Sequence, residues 1–438
     1  MDWRDMVGDK LMTPREAVSV IRPTDKVTVA PIIVTPFTLC KGIFERRHEL
    51  KGMHLDHFAP FFPWKEPGEE MMFDLHDLYA TGANREMVNN AEVHYSPTGR
   101  FMEGEIPPGV LREPDVFLVP VSPPDQQGFC SFGPGVFFSR RFCHIAKMVI
   151  AEVHEDFIRT GGDNYIHVSQ LHRMCEAEQP TGTLPAAALS DEETLVAEVV
   201  CTLVATELIN DRDTVQIGIG TISSLMGLYL GDKNDLGVQA ELVTTGIPDL
   251  VRQGVITGKY KNFHVGKVVG SFVIVPPEEL AIVDGHPAFE LYDFAYVDDV
   301  RMLLRQDNLV AINNALQVDL TGQVASEGIG SRVWTGVGGQ TAFAIAANYS
   351  KGGRSITVLP SSSMVNGTRA SRIVAALPEG GVVTVLRTFV DYVVTEHGIA
   401  HLRGKSLRER VGALIEIAHP DFRQELKSQA RRLYSTEG

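Results

Sequence analysis

Along the chain, short unbroken apolar runs alternate with stretches in which apolar residues recur every three or four positions. That is the pattern of strands buried on both faces and of the helices that cover them. The first half opens on a helix signal, Thr13-Pro14 ahead of residues 15–21, followed by Asp25 and an apolar run over 27–34 that ends in a turn at Thr35-Pro36. A helix over 37–49 and a strand over 53–58 come next. The same order returns after Asp213: a buried strand over 215–219, a glycine turn, a helix that Thr221 or Ser223 can cap, and a strand over 237–243. We read this as an internal pseudo-repeat, and hence as two related open α/β domains. Further strands are predicted over 116–121, 148–153, 268–275, 309–318, 355–359, 382–386 and 392–395, with helices from Phe142 and over 342–349. Between Glu176 and Glu192 the composition shifts to Pro, Thr and Ala, and Ser190 with acids behind it caps a helix. The boundary is placed there, giving an N-terminal domain over 1–185 and a C-terminal domain over 190–438.

The length of 438 residues agrees with two domains, since single cores stop growing well below it. Hydrophobic residues at 44% and charged residues at 22% are the balance of an ordinary globular protein. A net charge of −15 opposes nucleic acid or an anionic membrane surface as partner, so an anionic ligand must be held by local donors. The opening residues carry no apolar signal core and no stretch is long enough to span a bilayer, so the expected location is the cytoplasm. Five cysteines without a C-x-x-C pair fit reduced thiols. The fourteen histidines show no ligand spacing; His397 and His401 stand four apart without a third ligand nearby, and no metal is expected.

Candidate chemistry centres on Glu241, the carboxylate that the strand over 237–243 brings near the carboxyl edge of the sheet, where α/β proteins bind ligands. Gly218-Ile219-Gly220 gathers backbone N–H groups at the turn before it. The same residues also fit a dinucleotide fingerprint with the acid on a ribose hydroxyl, although Ser223 stands where its third glycine belongs. A solvated edge charge is a further reading. The densest glycine cluster, residues 335–340 (TGVGGQ), precedes the small-residue helix, whose N-terminus can receive an anion or simply follow a turn. Phe61, Phe62, Trp64, Phe132, Phe137 and Phe138 would line an apolar pocket or fill the core; the alternative is that Arg140 and Arg141 recognise the second carboxylate of a dicarboxylic substrate.

Three segments, LGVQAELVTTGIPDLVRQGVITG around Glu241, INNALQVDLTGQVASEGIGSRVWTGVGGQ over 312–340 and DYVVTEHGIAHLRGKSLRERVGALIEIAHPDFRQEL over 391–426, carry a resemblance that covers nearly the whole chain. The sequence resembles the acetyl-CoA hydrolase and 4-hydroxybutyrate CoA-transferase group of the family I CoA-transferases. The resemblance implies two open α/β domains with the active site in the cleft between them, usually in homodimers, the N-terminal half supplying the carboxylate pocket. It places the catalytic glutamate on Glu241 and the oxyanion-binding amides on Ile219 and Gly338. Further active-site roles fall on Asn313 and Glu396, and CoA binding on Gly338, Gly339 and Gln340. The sequence departs from the family at Ala342, where aspartate is common, at Ala30-Pro31-Ile32-Ile33 in place of a glycine-rich turn, and at His154 in place of an asparagine.

The reaction so implied moves CoA from a short-chain acyl-CoA to a small carboxylate through a glutamyl-CoA thioester, with coenzyme A as substrate and no permanently bound cofactor. A carboxylate nucleophile suits it, because a thioester and a carboxylate exchange poorly without a covalent relay. Each stage passes through a tetrahedral oxyanion, so preorganised N–H donors lower several barriers together. Hydrolysis of acyl-CoA on the same scaffold differs only in whether water reaches the intermediate first. An NAD-binding oxidoreductase and a non-catalytic acyl-CoA-binding protein are the rival classes.

Overall fold

The computed structural model describes residues 2–98, 113–181 and 189–434. The chain forms two compact units, Met1–Pro185 with Gly270–Val297, and Ala186–Val269 with Asp298–Gly438. The segment 270–297 therefore groups with the first unit, where a reading of the chain as two contiguous pieces put it in the second. Most of the Pro-, Thr- and Ala-rich passage at the expected boundary lies outside the described residues.

In the first unit a parallel sheet is built from β1 (Lys26–Val29), β2 (His54–His57), β3 (Asp74–Asp77), β4 (His94–Tyr95), β5 (Val116–Val121), β6 (Met148–Val153) and β7 (Arg173–Glu176), in the order β7-β6-β5-β1-β2-β3-β4. Every residue of β5 is buried, which is why its sequence, VFLVPV, is an unbroken apolar run rather than an alternating one. β1 stops short of the predicted 27–34 because Pro31 has no N–H for the ladder, and Ile32 then takes a left-handed φ of 50°. Helix α1 (Phe37–Glu45) has Pro36 at its N-cap and no side-chain cap of its own. Instead the buried Glu152 of β6 accepts from Leu39 N at 2.9 Å, and His154 Nε2 lies 3.0 Å from the other Glu152 oxygen. The His154 ring also stacks on Phe157, so this departure from the family serves a buried network around a helix start.

The second unit opens on helix α2 (Asp191–Glu207), held by the reciprocal capping box of Ser190 and Glu193. Its sheet uses β8 (Thr214–Ile217), β9 (Gly237–Gln239), β10 (Val268–Gly270), β11 (Leu309–Asn314), β12 (Arg354–Val358), β13 (Tyr392–Thr395) and β14 (Gly398–His401). The order is β14-β13-β12-β11-β8-β9-β10, parallel except for the edge pair β13–β14. In each unit the first strand is central and the next two step to one side, so the strand order reverses beside it; ligands of open α/β sheets bind at such a reversal. Helix α3 (Gln340–Tyr349) packs Phe343, Ala346 and Ala347 with Leu309 and Ala311 of β11.

Several predicted elements are shorter or different. The runs over 237–243, 268–275 and 309–318 each break into two short strands. Residues 382–386 form no strand; Val385 makes a single bridge to Val324. The helix expected after the first glycine turn is a 3-10 helix, Ser223–Tyr229, with Ile222 at its N-cap and no side-chain cap bond. All five cysteines are buried and unpaired.

Candidate active site

Because β8 and β9 run parallel in the register Thr214↔Gly237 and Val215↔Val238, counting on sets Gly218 level with Glu241 at their shared carboxyl edge. On the other side, Ile217 of β8 pairs with Ile312 of β11, which sets Gly218 level with Asn313 as well. Three chain exits from neighbouring parallel strands thus meet at one edge. Ala240 N still bonds to Val269 O at 3.0 Å, so the sheet holds the chain up to the residue before Glu241.

Helix α3 brings its N-terminus to this edge. Gly339, its N-cap, donates its backbone N–H to Glu241 Oε2 at 3.2 Å. A Cβ on Gly339 would lie 2.6 Å from that oxygen and 2.7 Å from the carboxyl carbon, so only glycine permits the approach. The positive end of this ten-residue helix therefore lies at the Glu241 carboxylate. Next to Gly339, Gly338 faces open space on the side a Cβ would occupy. Among the described residues the N–H groups of Gly338 and Ile219 have no hydrogen-bond partner. Each is one residue from a position bonded to, or level with, Glu241, which suits donors awaiting an oxyanion. Gln340 is the first residue of α3 and is partly exposed.

The glycine turn after β8 is shaped by a side chain that sequence reasoning missed. Asn314 Nδ2 lies 3.3 Å from the carbonyl oxygen of Ile219 and 2.6 Å from Ser223 Oγ, and Ser223 in turn donates to Gly218 O at 2.6 Å. A Cβ on Gly220, whose φ is 147°, would strike Asn314. Asn313, the residue singled out from the family motif, is instead buried. Its amide pairs head to tail with Gln216, at 2.8 and 3.1 Å, and ties β11 to β8. Strand alternation decides the difference, since adjacent residues of β11 face opposite ways. Two asparagines in succession at a strand end are the signal that both faces matter there.

Glu396 follows β13, four ladders from β9, which at about 4.8 Å per ladder is roughly 19 Å along the edge. Its two oxygens accept from Ser361 N at 2.9 Å and Ser361 Oγ at 2.5 Å. That is the arrangement of an acid holding its own loop. Glu327, which the sequence reading passed over, is mostly buried, and burial pushes its carboxyl above the ordinary range while the Thr384 hydroxyl pulls it back. Thr384 O accepts from Thr341 Oγ1 of α3 at 2.7 Å, so Glu327 belongs to the support of that helix start.

Other sequence candidates fall into structural roles. Phe137 stacks on Phe272 and meets Phe294 edge-on inside the first unit, and Phe132 and Trp64 are fully buried. Arg140 and Arg141 face Asp163 and Asp293 at 2.5 and 3.3 Å. Burial pushes all five thiols up, which removes them as nucleophiles near neutral pH. Ala342 is wholly buried on α3.

Comparison with known proteins places the chain in a family. Residues 2–197 match the acetyl-CoA hydrolase/transferase N-terminal domain, and residues 278–430 match the C-terminal domain of the same name. The chain is 37% identical to the 4-hydroxybutyrate coenzyme A transferase of Clostridium kluyveri, over 99% of this chain and 100% of that one. Among solved structures, RipA from Yersinia pestis superposes with a TM-score of 0.88 at 30% identity, covering both chains completely. A 4-hydroxybutyrate CoA-transferase from Porphyromonas gingivalis gives a TM-score of 0.79 at 30% identity, covering 99% of this chain and 100% of the other. The chain is an enzyme of the acetyl-CoA hydrolase/transferase group and belongs to family I of the CoA-transferases, which move CoA between an acyl-CoA and a carboxylate.

Proposed function

We propose that Glu241 is the nucleophile of this transfer and that the donor is a short-chain acyl-CoA, the acceptor a small carboxylate. The observation that carries the reading is the Gly339 N–H on Glu241 Oε2, at a helix N-terminus beside two amides whose donors are unused. A Glu241 oxygen attacks the thioester carbonyl, the C–S bond breaks, and CoA leaves as thiolate from an acyl-glutamyl anhydride. The thiolate then attacks the Glu241 carbonyl, releasing the acyl carboxylate and leaving a glutamyl-CoA thioester. The acceptor carboxylate repeats both steps in reverse and departs as its CoA ester, restoring Glu241. Ile219 and Gly338 donate to the tetrahedral oxyanions, each lowering a barrier by about 3 kcal/mol. The name of the Clostridium kluyveri relative supports a small hydroxy acid as one partner. We also place the enzyme in the cytoplasm as a homodimer, a reading that the buried free thiols and the family resemblance support.

The test is borohydride trapping after incubation with a panel of short acyl-CoAs, followed by mass spectrometry of the Glu241 peptide. Reduction of Glu241 to the alcohol, dependent on acyl-CoA and prevented when an acceptor carboxylate is added before the borohydride, is the expected result. Turnover by a Glu241→Ala variant at the wild-type rate would overturn the assignment, and free thiol accumulating without acceptor would mark a hydrolase.

A further inference from the structure

On the outer face of the sheet edge in the first unit, strands β2, β3 and β4 assemble three histidines and two aspartates that the transfer chemistry does not use. The burial of β2 and β3 alternates, with Leu55 and His57, and Leu75 and Asp77, turned inward. His54, Asp56, Asp74 and His76 therefore share the opposite face. The parallel register sets His54 beside Asp74, Asp56 beside His76, and His76 beside His94. Imidazole and carboxylate thus alternate across the first two strands. His54 Nε2 lies 3.0 Å from Asp56 Oδ1, while its Nδ1 lies 3.2 Å from Asp74 Oδ2. His76 and His94 approach Asp74 at 3.2 and 3.3 Å, and the ring centroids of His54 and His76 are 4.2 Å apart.

One donor atom from each of His54, Asp56 and His76 can be chosen so that all three lie within 4.8 Å of one another, and the same holds for Asp74, His76 and His94. A tetrahedral shell with bonds of about 2.0–2.1 Å has edges of about 3.3 Å, so these donors need to move by an ångström or so at most. The donors are nitrogen and oxygen, the set favoured by divalent first-row transition ions. The two carboxylates also supply the charge that a divalent ion neutralises. In the inner group, His54 turns one nitrogen toward Asp56 and has the other held by Asp74, the carboxylate–histidine arrangement that orients metal ligands. His54 and His76 have side chains 10% and 24% exposed against 69% for His94, so the inner group is the more enclosed one.

We propose that this face binds a single divalent transition-metal ion of the zinc type through His54, Asp56 and His76, with Asp74 orienting His54. The linear spacing shows no such ligand set because the residues are gathered from separate strands by cross-strand register. A metal there would fasten β2 to β3 near the open edge of the sheet.

The experiment uses the full chain without a histidine tag, freed of metal by a chelator and then titrated with Co2+ in the visible range and with Zn2+ by calorimetry. One equivalent of Co2+ with intense tetrahedral d–d bands, displaced by one equivalent of Zn2+, is expected. His76→Gln and Asp56→Asn should each weaken binding at least tenfold, and His94→Gln should leave it within threefold. Melting curves of the metal-free variants confirm that they are folded, and Zn2+ should raise the melting temperature of the wild type but not of His76→Gln. No stoichiometric binding, or binding undiminished in a folded His76→Gln, overturns the site. Weakening by His94→Gln as strong as that by Asp56→Asn overturns the assignment to the inner group.

Discussion

Replacing Gly339 by alanine adds a single methyl group directly against the Glu241 carboxylate. The new Cβ would stand 2.6 Å from Glu241 Oε2 and 2.7 Å from its carboxyl carbon, so the carboxylate must retreat by close to an ångström to restore ordinary contact. The 3.2 Å bond from Gly339 N–H then lengthens or is lost. Misplacing a reacting group by about 1 Å costs on the order of 100-fold, and losing one preorganised donor costs a similar factor. We expect kcat for CoA transfer to fall about 100-fold, equivalent to about 2.7 kcal/mol of barrier. The fold should be untouched, because Gly339 has φ −76°, which any residue adopts. The neighbouring Gly338→Ala is the control: its Cβ would meet nothing within 4 Å, so Glu241 stays in place and kcat should fall less than tenfold. The assay is steady-state acyl exchange followed by chromatography of the CoA esters, with a thermal melt of each variant alongside. A Gly339→Ala enzyme retaining a third or more of wild-type kcat, or a Gly338→Ala enzyme impaired as severely, would refute the reasoning.

Three further outcomes are expected. Asn314→Ala frees the Ile219 carbonyl and the Ser223 hydroxyl, so the glycine turn loosens and kcat should drop about 10- to 100-fold with KM little changed, as steady-state kinetics would show. Glu396→Gln leaves one acceptor for two Ser361 donors and should lower stability by about 1–2 kcal/mol in denaturant titration while kcat stays within about threefold; a large loss of kcat at unchanged stability would point to chemistry instead. Burial raises the Asp77 carboxyl to about 6 even though the N–H groups of Ala59 and Tyr79 and the Asn84 amide favour its charged form. A raised carboxyl contributes stability that is complete below the unfolded value of about 3.9 and is lost as pH rises through 6. Between pH 4 and pH 7.5 this amounts to about 3 kcal/mol at most, and the stability of Asp77→Asn relative to wild type should rise over that interval.

How much of this was legible depended on whether the cause was local. β5 and β6 were read with their observed limits because each is an apolar run buried nearly throughout, and the α2 start was read from the Ser190–Glu193 box because both partners lie within one turn. Glu241 was legible as a strand-end carboxylate in a family motif. Its contact with Gly339, 98 residues away, was not, since no local pattern encodes the meeting of a strand edge with a distant helix start. The choice between Asn313 and Asn314 needed the facing of β11, and the histidine cluster needed the register of three strands. Residues 268–275 read as one strand by hydrophobicity, yet the chain changes units at Gly270, a change that leaves no compositional trace.

That crossing has a consequence for synthesis. The first unit is not complete at residue 185; it takes in Gly270–Val297, a segment that begins 85 residues downstream. At a translation rate of about 5–20 residues per second, the nascent N-terminal sheet waits on the order of ten seconds for Phe272 and Phe294 to reach Phe137. During that interval the strands of the second unit, β8 and β9, have already emerged. Newly made chains therefore pass through a stage in which apolar surface of the first unit is uncovered, and a fragment ending near 185 would remain in it, as a substrate for chaperones rather than an independent domain.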